Sequence, residues 1–180
     1  SRKTLGEDHW LTLMIIDNLG GLHFAQNDTA GAVELTRAAL DGRRRVLGDN
    51  HAATLRSCFN LARVQESQGE IDDAVALYRR AVKGFRIAYG EFHTYTITAR
   101  TTLSGLLITS KRFKECEDLL RDEFEMFDKH PDVPKERRRG VIRALGIMYG
   151  MWDAAEPDQG HAQEAARWKK KLAQFDAANL

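Results

Sequence analysis

Apolar positions in this chain recur with a helical period. Between residues 52 and 68, Leu55, Cys58, Phe59, Leu61, Ala62 and Val64 form a stripe with the spacing of one helix face. Gly69 interrupts it. Between 72 and 88, Ala74, Val75, Leu77, Tyr78, Ala81, Val82 and Phe85 make a second such face. Asp72 stands near its start, where negative charge suits the helix dipole. The pattern predicts two helices joined by a short turn. No segment alternates apolar and polar residues between turn signals, as a half-buried strand would. Towards the C-terminus, His130-Pro131-Asp132-Val133-Pro134 predicts a loop, because each proline disfavours helix in the residue before it. A helix from about Lys135 to Ala155 follows, with Val141, Ile142, Leu145, Met148, Tyr149 and Trp152 on one face. Glu156-Pro157-Asp158-Gln159-Gly160 breaks it, in a stretch that reads as an insertion of about two helical turns against residues 47–88. A last helix, from about His161 to Ala177, carries Ala165, Trp168, Leu172 and Phe175, with Lys169, Lys170 and Lys171 on another face. A wet outer face is what the end of a repeat stack needs.

The helix pair is repeated. Leu5-Gly6-Glu7-Asp8-His9, Leu47-Gly48-Asp49-Asn50-His51 and Tyr89-Gly90-Glu91-Phe92-His93 share one frame with a constant offset of 42 residues. Thr12, Thr54 and Thr96 keep that phase, as do Leu19, Leu61 and Leu103, and Arg37, Arg79 and Arg121. A period in this range marks a helical-hairpin array. The motif glycine ends each second helix, since glycine accepts the left-handed backbone of a C-terminal cap.

Leu61-Ala62, Gly69, Ile71, Ala74, Tyr78 and Ala81 fall at the packing positions of the tetratricopeptide repeat, which the second unit resembles. The 42-residue period and the Leu-Gly-x-x-His opening are similar to the long repeats of kinesin light chains and their bacterial relatives. The resemblance implies an all-α fold, a right-handed solenoid of antiparallel helix pairs with about eight helices. It divides the chain into repeats at 5–46, 47–88 and 89–130 and a degenerate fourth repeat with a capping helix at 131–180. Arg2-Lys3-Thr4-Leu5-Gly6 has the shape of Arg44-Arg45-Val46-Leu47-Gly48, so residues 1–4 read as the end of a preceding helix in a longer array. Four positions depart from the pattern: Asn27 and Lys111 replace the turn glycine, Thr36 the large aromatic, and Glu123 a small residue. Looser packing is expected there. Tyr149–Asp158 with Glu164–Leu172 also resembles the end of repeat tails on bacterial, planctomycete-type serine/threonine protein kinases, although the chain contains no kinase motif.

Charge and composition narrow the chemistry. With 27 basic and 26 acidic residues the formal net charge is +1, which argues against nucleic-acid binding through a bulk positive field. No apolar run is long enough to span a membrane. Two cysteines, Cys58 and Cys116, cannot build a disulfide framework and sit at packing phases, so a reducing, cytoplasmic setting is expected. His9, His51 and His93 invite a metal reading. Histidines on successive units lie about 10 Å apart, however, whereas a metal needs ligands within about 2.1 Å, so each histidine is expected to brace the start of its helix. No catalytic, cofactor or metal motif is present, and no enzyme is expected. Arg43-Arg44-Arg45, Arg137-Arg138-Arg139 and Lys169-Lys170-Lys171 read as solvated helix ends, because consecutive residues on a helix point about 100° apart.

The resemblance implies that the first helix of each unit lines a concave groove. Its inward positions are then Met14, Asp17, Gly21 and Phe24, followed by Arg56, Phe59, Arg63 and Glu66. The third unit contributes Thr98, Thr101, Gly105 and Ile108. Asn18 and Asn60 match one of a pair of asparagines that can bond a peptide backbone in related repeats. Arg56 and Arg63 share a face with Phe59 between them, which offers guanidinium forks beside an apolar anchor. The expected function is a non-catalytic protein-interaction scaffold whose groove takes a peptide or protein with acidic and apolar residues. The alternative is the regulatory tail of a kinase. Leu5, Trp10, Leu11 and Ile15 would pack against a preceding unit, so weak self-association through that end is also expected.

Overall fold

The computed structural model describes residues 6–179, and the expectations for residues 1–4 and for Leu5 lie outside them. Eight helices make up the described chain: α1 (Trp10–Ala25), α2 (Thr29–Leu47), α3 (Ala52–Ser67), α4 (Ile71–Tyr89), α5 (Thr94–Thr109), α6 (Phe113–Lys129), α7 (Lys135–Ala155) and α8 (His161–Ala177). No strand occurs among the described residues. The chain forms two compact units, one up to Leu103 and one from Ser104, with the division inside α5. In the first unit α1 packs on α2, α3 on α4, and α2 on α3. In the second, α7 packs on both α6 and α8.

The repeat is visible in its smallest parts. His9, His51 and His93 each precede a first helix, and each Nδ1 accepts the backbone N–H two residues on, from Leu11, Ala53 and Tyr95, at 3.2 Å. These bonds satisfy donors that a helix start leaves unpaired. Gly48 and Gly90 follow α2 and α4 with φ of 80° and 90°. Inside each hairpin the same turn recurs. Asp28 N–H donates to His23 O at 2.9 Å, Glu70 N–H to Gln65 O at 3.0 Å, and Arg112 N–H to Leu107 O at 2.8 Å. This capping turn requires a left-handed residue. Gly69 supplies it at φ 81°, but Asn27 and Lys111 must adopt 61° and 59°. Lysine has no local compensation for that conformation, so Lys111→Gly is expected to raise stability by about 0.5–1 kcal/mol in urea titration.

Helix pairing also has a repeated device. Leu13 lies against Gly42 and Leu55 against Gly84, so closely that a methyl on either glycine would overlap the leucine. Around them the core holds Leu40, Cys58 and Leu61, with Val33 and Leu77 packed against it. Thr36 does not loosen its hairpin. It is buried, its hydroxyl donates to Ala32 O at 2.7 Å, and its methyl fills the space above Gly20. Glu123 is likewise buried. In the second unit α7 has 21 residues where α3 has 16, which lengthens the final hairpin. Arg121 ties that hairpin together, donating to Glu117 at 2.8 Å, to Tyr149 Oη at 2.6 Å and to Glu164 at 3.3 Å. Tyr149 Oη in turn donates to Glu117. Burial opposes ionisation of Glu117, but bonds from Tyr149, Lys114 and Arg121 outweigh it and hold its carboxyl below the ordinary range.

Candidate functional site

The first helices of the first unit carry most of the predicted groove positions, and the structure sorts them into open and committed groups. Asp17 is the main correction. It is 3% exposed, and its carboxylate accepts Arg43 Nη1 at 2.7 Å and Asn60 Nδ2 at 3.3 Å. Arg43 also donates to Ser57 Oγ at 2.6 Å and reaches Ala53 O at 3.3 Å. This buried network joins α1, α2 and α3, so Asp17 and Asn60 position those helices and are not free to grip a peptide. Arg43 therefore departs from the expectation of a solvated basic cluster. Its neighbours do meet solvent: Arg44 pairs with Asp49 and Arg45 with Asp8, at 3.2 and 2.6 Å.

Glu66 accepts the Tyr78 hydroxyl at 2.7 Å, and burial with that bond raises the Tyr78 pKa. Phe59 packs edge-on against Tyr78 with ring centroids 5.3 Å apart. It is half-buried within its own hairpin and does not stand free between the arginines. Arg63 is exposed and lies 5.4 Å over the Phe24 ring. Asn18, Thr98 and Thr101 are exposed, and Ile108 belongs to the second unit, where it is half-buried.

Two predicted positions, Met14 and Arg56, line a pocket of about 260 Å³ formed by α1, the end of α2 and the start of α3. Trp10, Val46 and Leu47 supply its apolar walls and are exposed by 64%, 49% and 38%. Arg56 is open to solvent beside it, with its Nε 4.0 Å from Asp17. Sequence reasoning missed Val46 and Leu47, which follow the arginine run at a helix end. The 42-residue register explains why a pocket exists here. The position of Ala53 is held in the next repeat by Tyr95, whose ring packs among Phe85, Tyr89 and His93 at 5.2–5.7 Å. An aromatic side chain fills at the second junction what alanine leaves open at the first.

No cluster of three potential metal ligands occurs among the described residues. Cys58 and Cys116 are buried, and burial pushes the Cys116 thiol up to about 12 and raises that of Cys58. Neither is a ready nucleophile. No described helix is long and apolar enough to cross a membrane.

Paired helices in a 42-residue register, joined by one repeated turn, define the class: an all-α helical-repeat protein. Residues 11–87 match the model of the tetratricopeptide repeat family. It is similar to the crystal structure of nearly identical TPR-like repeats from a Podosopora anserina chain assigned as a kinesin light chain, with a TM-score of 0.84 and 21% identity over 98% of this chain and 81% of that one. A variant of that protein gives 0.81, at 21% identity over 98% and 80%. BtubC (BKLC) from P. vanneervenii gives 0.73, at 16% identity over 98% and 66%. At these identities the likeness is one of fold. No curated protein matches the chain. Tetratricopeptide repeats generally mediate protein–protein interaction.

Proposed function

We propose that this chain is a non-catalytic interaction scaffold whose first unit binds a peptide bearing an apolar side chain next to a carboxylate. The pocket bounded by Trp10, Val46 and Leu47, with Arg56 beside it, carries this reading. Its walls suit a buried apolar anchor, and an exposed guanidinium suits a carboxylate through a charge-assisted, bidentate bond. Arg63, one helical heptad further along α3, offers a second cation on the same side. The buried Asp17–Arg43 network beneath keeps α1 and α3 in place.

Peptides selected from a random display library against the whole chain test the reading. The selected set is expected to combine an aromatic or aliphatic residue with Asp or Glu, and Arg56→Ala with Arg63→Ala should weaken it about tenfold or more. Both arginines are exposed, so the fold should survive. Selected peptides without acidic residues, or unchanged affinity in the double variant, would sink the idea.

The exposed apolar side of α1 supports a second expected behaviour, weak self-association. Ile15, Leu19 and Leu22 are 48%, 42% and 52% exposed, whereas Ser57, Leu61 and Val64, which hold the same places in the next repeat, are buried. Light scattering should show mass rising with concentration, and Leu19→Glu should abolish the rise. A constant monomer mass would refute it. A different reading, an interaction tail on a bacterial serine/threonine protein kinase, rests on the residue resemblance of 149–158 and 164–172. A kinase domain upstream in the gene's reading frame, beyond any further repeats, would support it, and an upstream reading frame without one would overturn it.

A further inference from the structure

Carried one step past the third repeat, the 42-residue register places the inward positions on Arg143, Ile147 and Gly150 of α7. In the structure these three residues line a groove between α7 and α8 that encloses about 540 Å³. Its walls are apolar. Ile147 and Met151 stand on α7, 47% and 43% exposed, and Trp168 and Leu172 of α8 face the same space. Gly150 gives the groove its depth, since a methyl built there would meet nothing within 4 Å. Its rim is cationic. Arg139 is engaged by Asp176 at 2.7 Å, but Arg143 and Lys169 have no ion-pair partner among the described residues. Trp168 adds a buried indole N–H with no acceptor among the described residues.

These features fit one kind of occupant. A sizeable exposed apolar groove marks an interaction site. Unpaired cations beside it select against a basic or neutral partner and for carboxylates. The α7 wall from Arg139 to Met151 is about 18 Å long at about 1.5 Å per residue, which matches about three turns of a second helix. We propose that the α7–α8 groove docks an acidic amphipathic helix of a partner protein. Apolar anchors at i, i+3 or i+4, and i+7 fill the space between Ile147 and Trp168, and flanking carboxylates pair with Arg143 and Lys169. The surface lies wholly within the second unit and does not depend on the reading of the α1–α3 pocket.

The test uses the full chain and a labelled synthetic helix with leucine anchors and glutamate flanks, read by fluorescence anisotropy. A matched peptide with lysine flanks and dodecanoate serve as comparison ligands. The acidic helix is expected to bind, with affinity falling as salt is raised. Arg143→Glu with Lys169→Glu, two exposed residues, should weaken it about tenfold or more and let the lysine peptide bind instead. Gly150→Leu, which fills the groove from a helical position, should block the acidic helix, with retained ellipticity as the folding check. Arg56→Ala with Arg63→Ala should leave intact the binding that Arg143→Glu with Lys169→Glu removes. Equal binding of the two peptides by the unmodified chain would overturn the proposal, as would binding of neither. Binding of dodecanoate without the acidic helix would also overturn it and assign the groove to a small amphiphile. Loss of the acidic helix in the Arg56/Arg63 variant would place the peptide in the first unit and refute the α7–α8 site.

Discussion

Arg43→Ala is expected to destabilise the first unit by about 3–5 kcal/mol, because it leaves the Asp17 carboxylate buried without its counter-charge. The geometry leaves Asp17 little relief. Its side chain is 2% exposed, Asn60 reaches it at 3.3 Å, and Arg56 stands at 4.0 Å. Ser57 Oγ and Ala53 O would also lose a donor. Removing both charges should cost far less, since a buried pair replaced by apolar residues of similar bulk is often neutral. Asp17→Leu with Arg43→Leu should therefore recover most of the loss. Urea unfolding followed by far-ultraviolet circular dichroism checks this. A single-variant cost below about 1 kcal/mol would show that the network is solvated.

The second large effect concerns hairpin packing. Leu55→Ala should cost about 2–5 kcal/mol, because Leu55 is 1% exposed and inserts against Gly84, where only a glycine leaves room. Gly84→Val alone should cost about 1–3 kcal/mol by overpacking against the same leucine. The informative variant combines them. If the two side chains occupy one space, Leu55→Ala with Gly84→Val is destabilised by less than the sum of its parts, with a coupling of about 0.5–3 kcal/mol. Strict additivity would mean that α3 and α4 separate to absorb each change. The same pairing of Leu13 with Gly42 makes α1 and α2 an internal replicate.

Much of this was legible in the residues. A 3.6-residue apolar stripe can be buried only by a helix, so the limits of α7 and α8, Lys135–Ala155 and His161–Ala177, follow from pattern and from flanking proline and glycine. The roles of His9, His51 and His93 follow from spacing, because helices repeating at 42 residues keep equivalent side chains too far apart to share a metal. The candidate site was legible only in part. Met14 and Arg56 were implied by the resemblance to tetratricopeptide repeats, and the structure adds Val46 and Leu47. The resemblance implied an open face for Asp17, Asn60 and Glu66, yet each is engaged by a neighbouring helix.

Period and register, which are properties of one strand of text, determined the helices, their pairing and their repeated caps. The tertiary structure decided which polar residues the packing spends. Arg43 holds the place that Phe85 and Phe127 hold in later repeats, and Asp17 the place of Phe59. Taken singly, each charged residue belongs on a helix surface by its solvation energy. Together, held 2.7 Å apart by three helices, they satisfy one another in the interior where the second repeat buries Phe85 and half-buries Phe59. That exchange depends on two residues 26 positions apart meeting at one point. Local periodicity contains no term for such a meeting, and only the packed helices supply it.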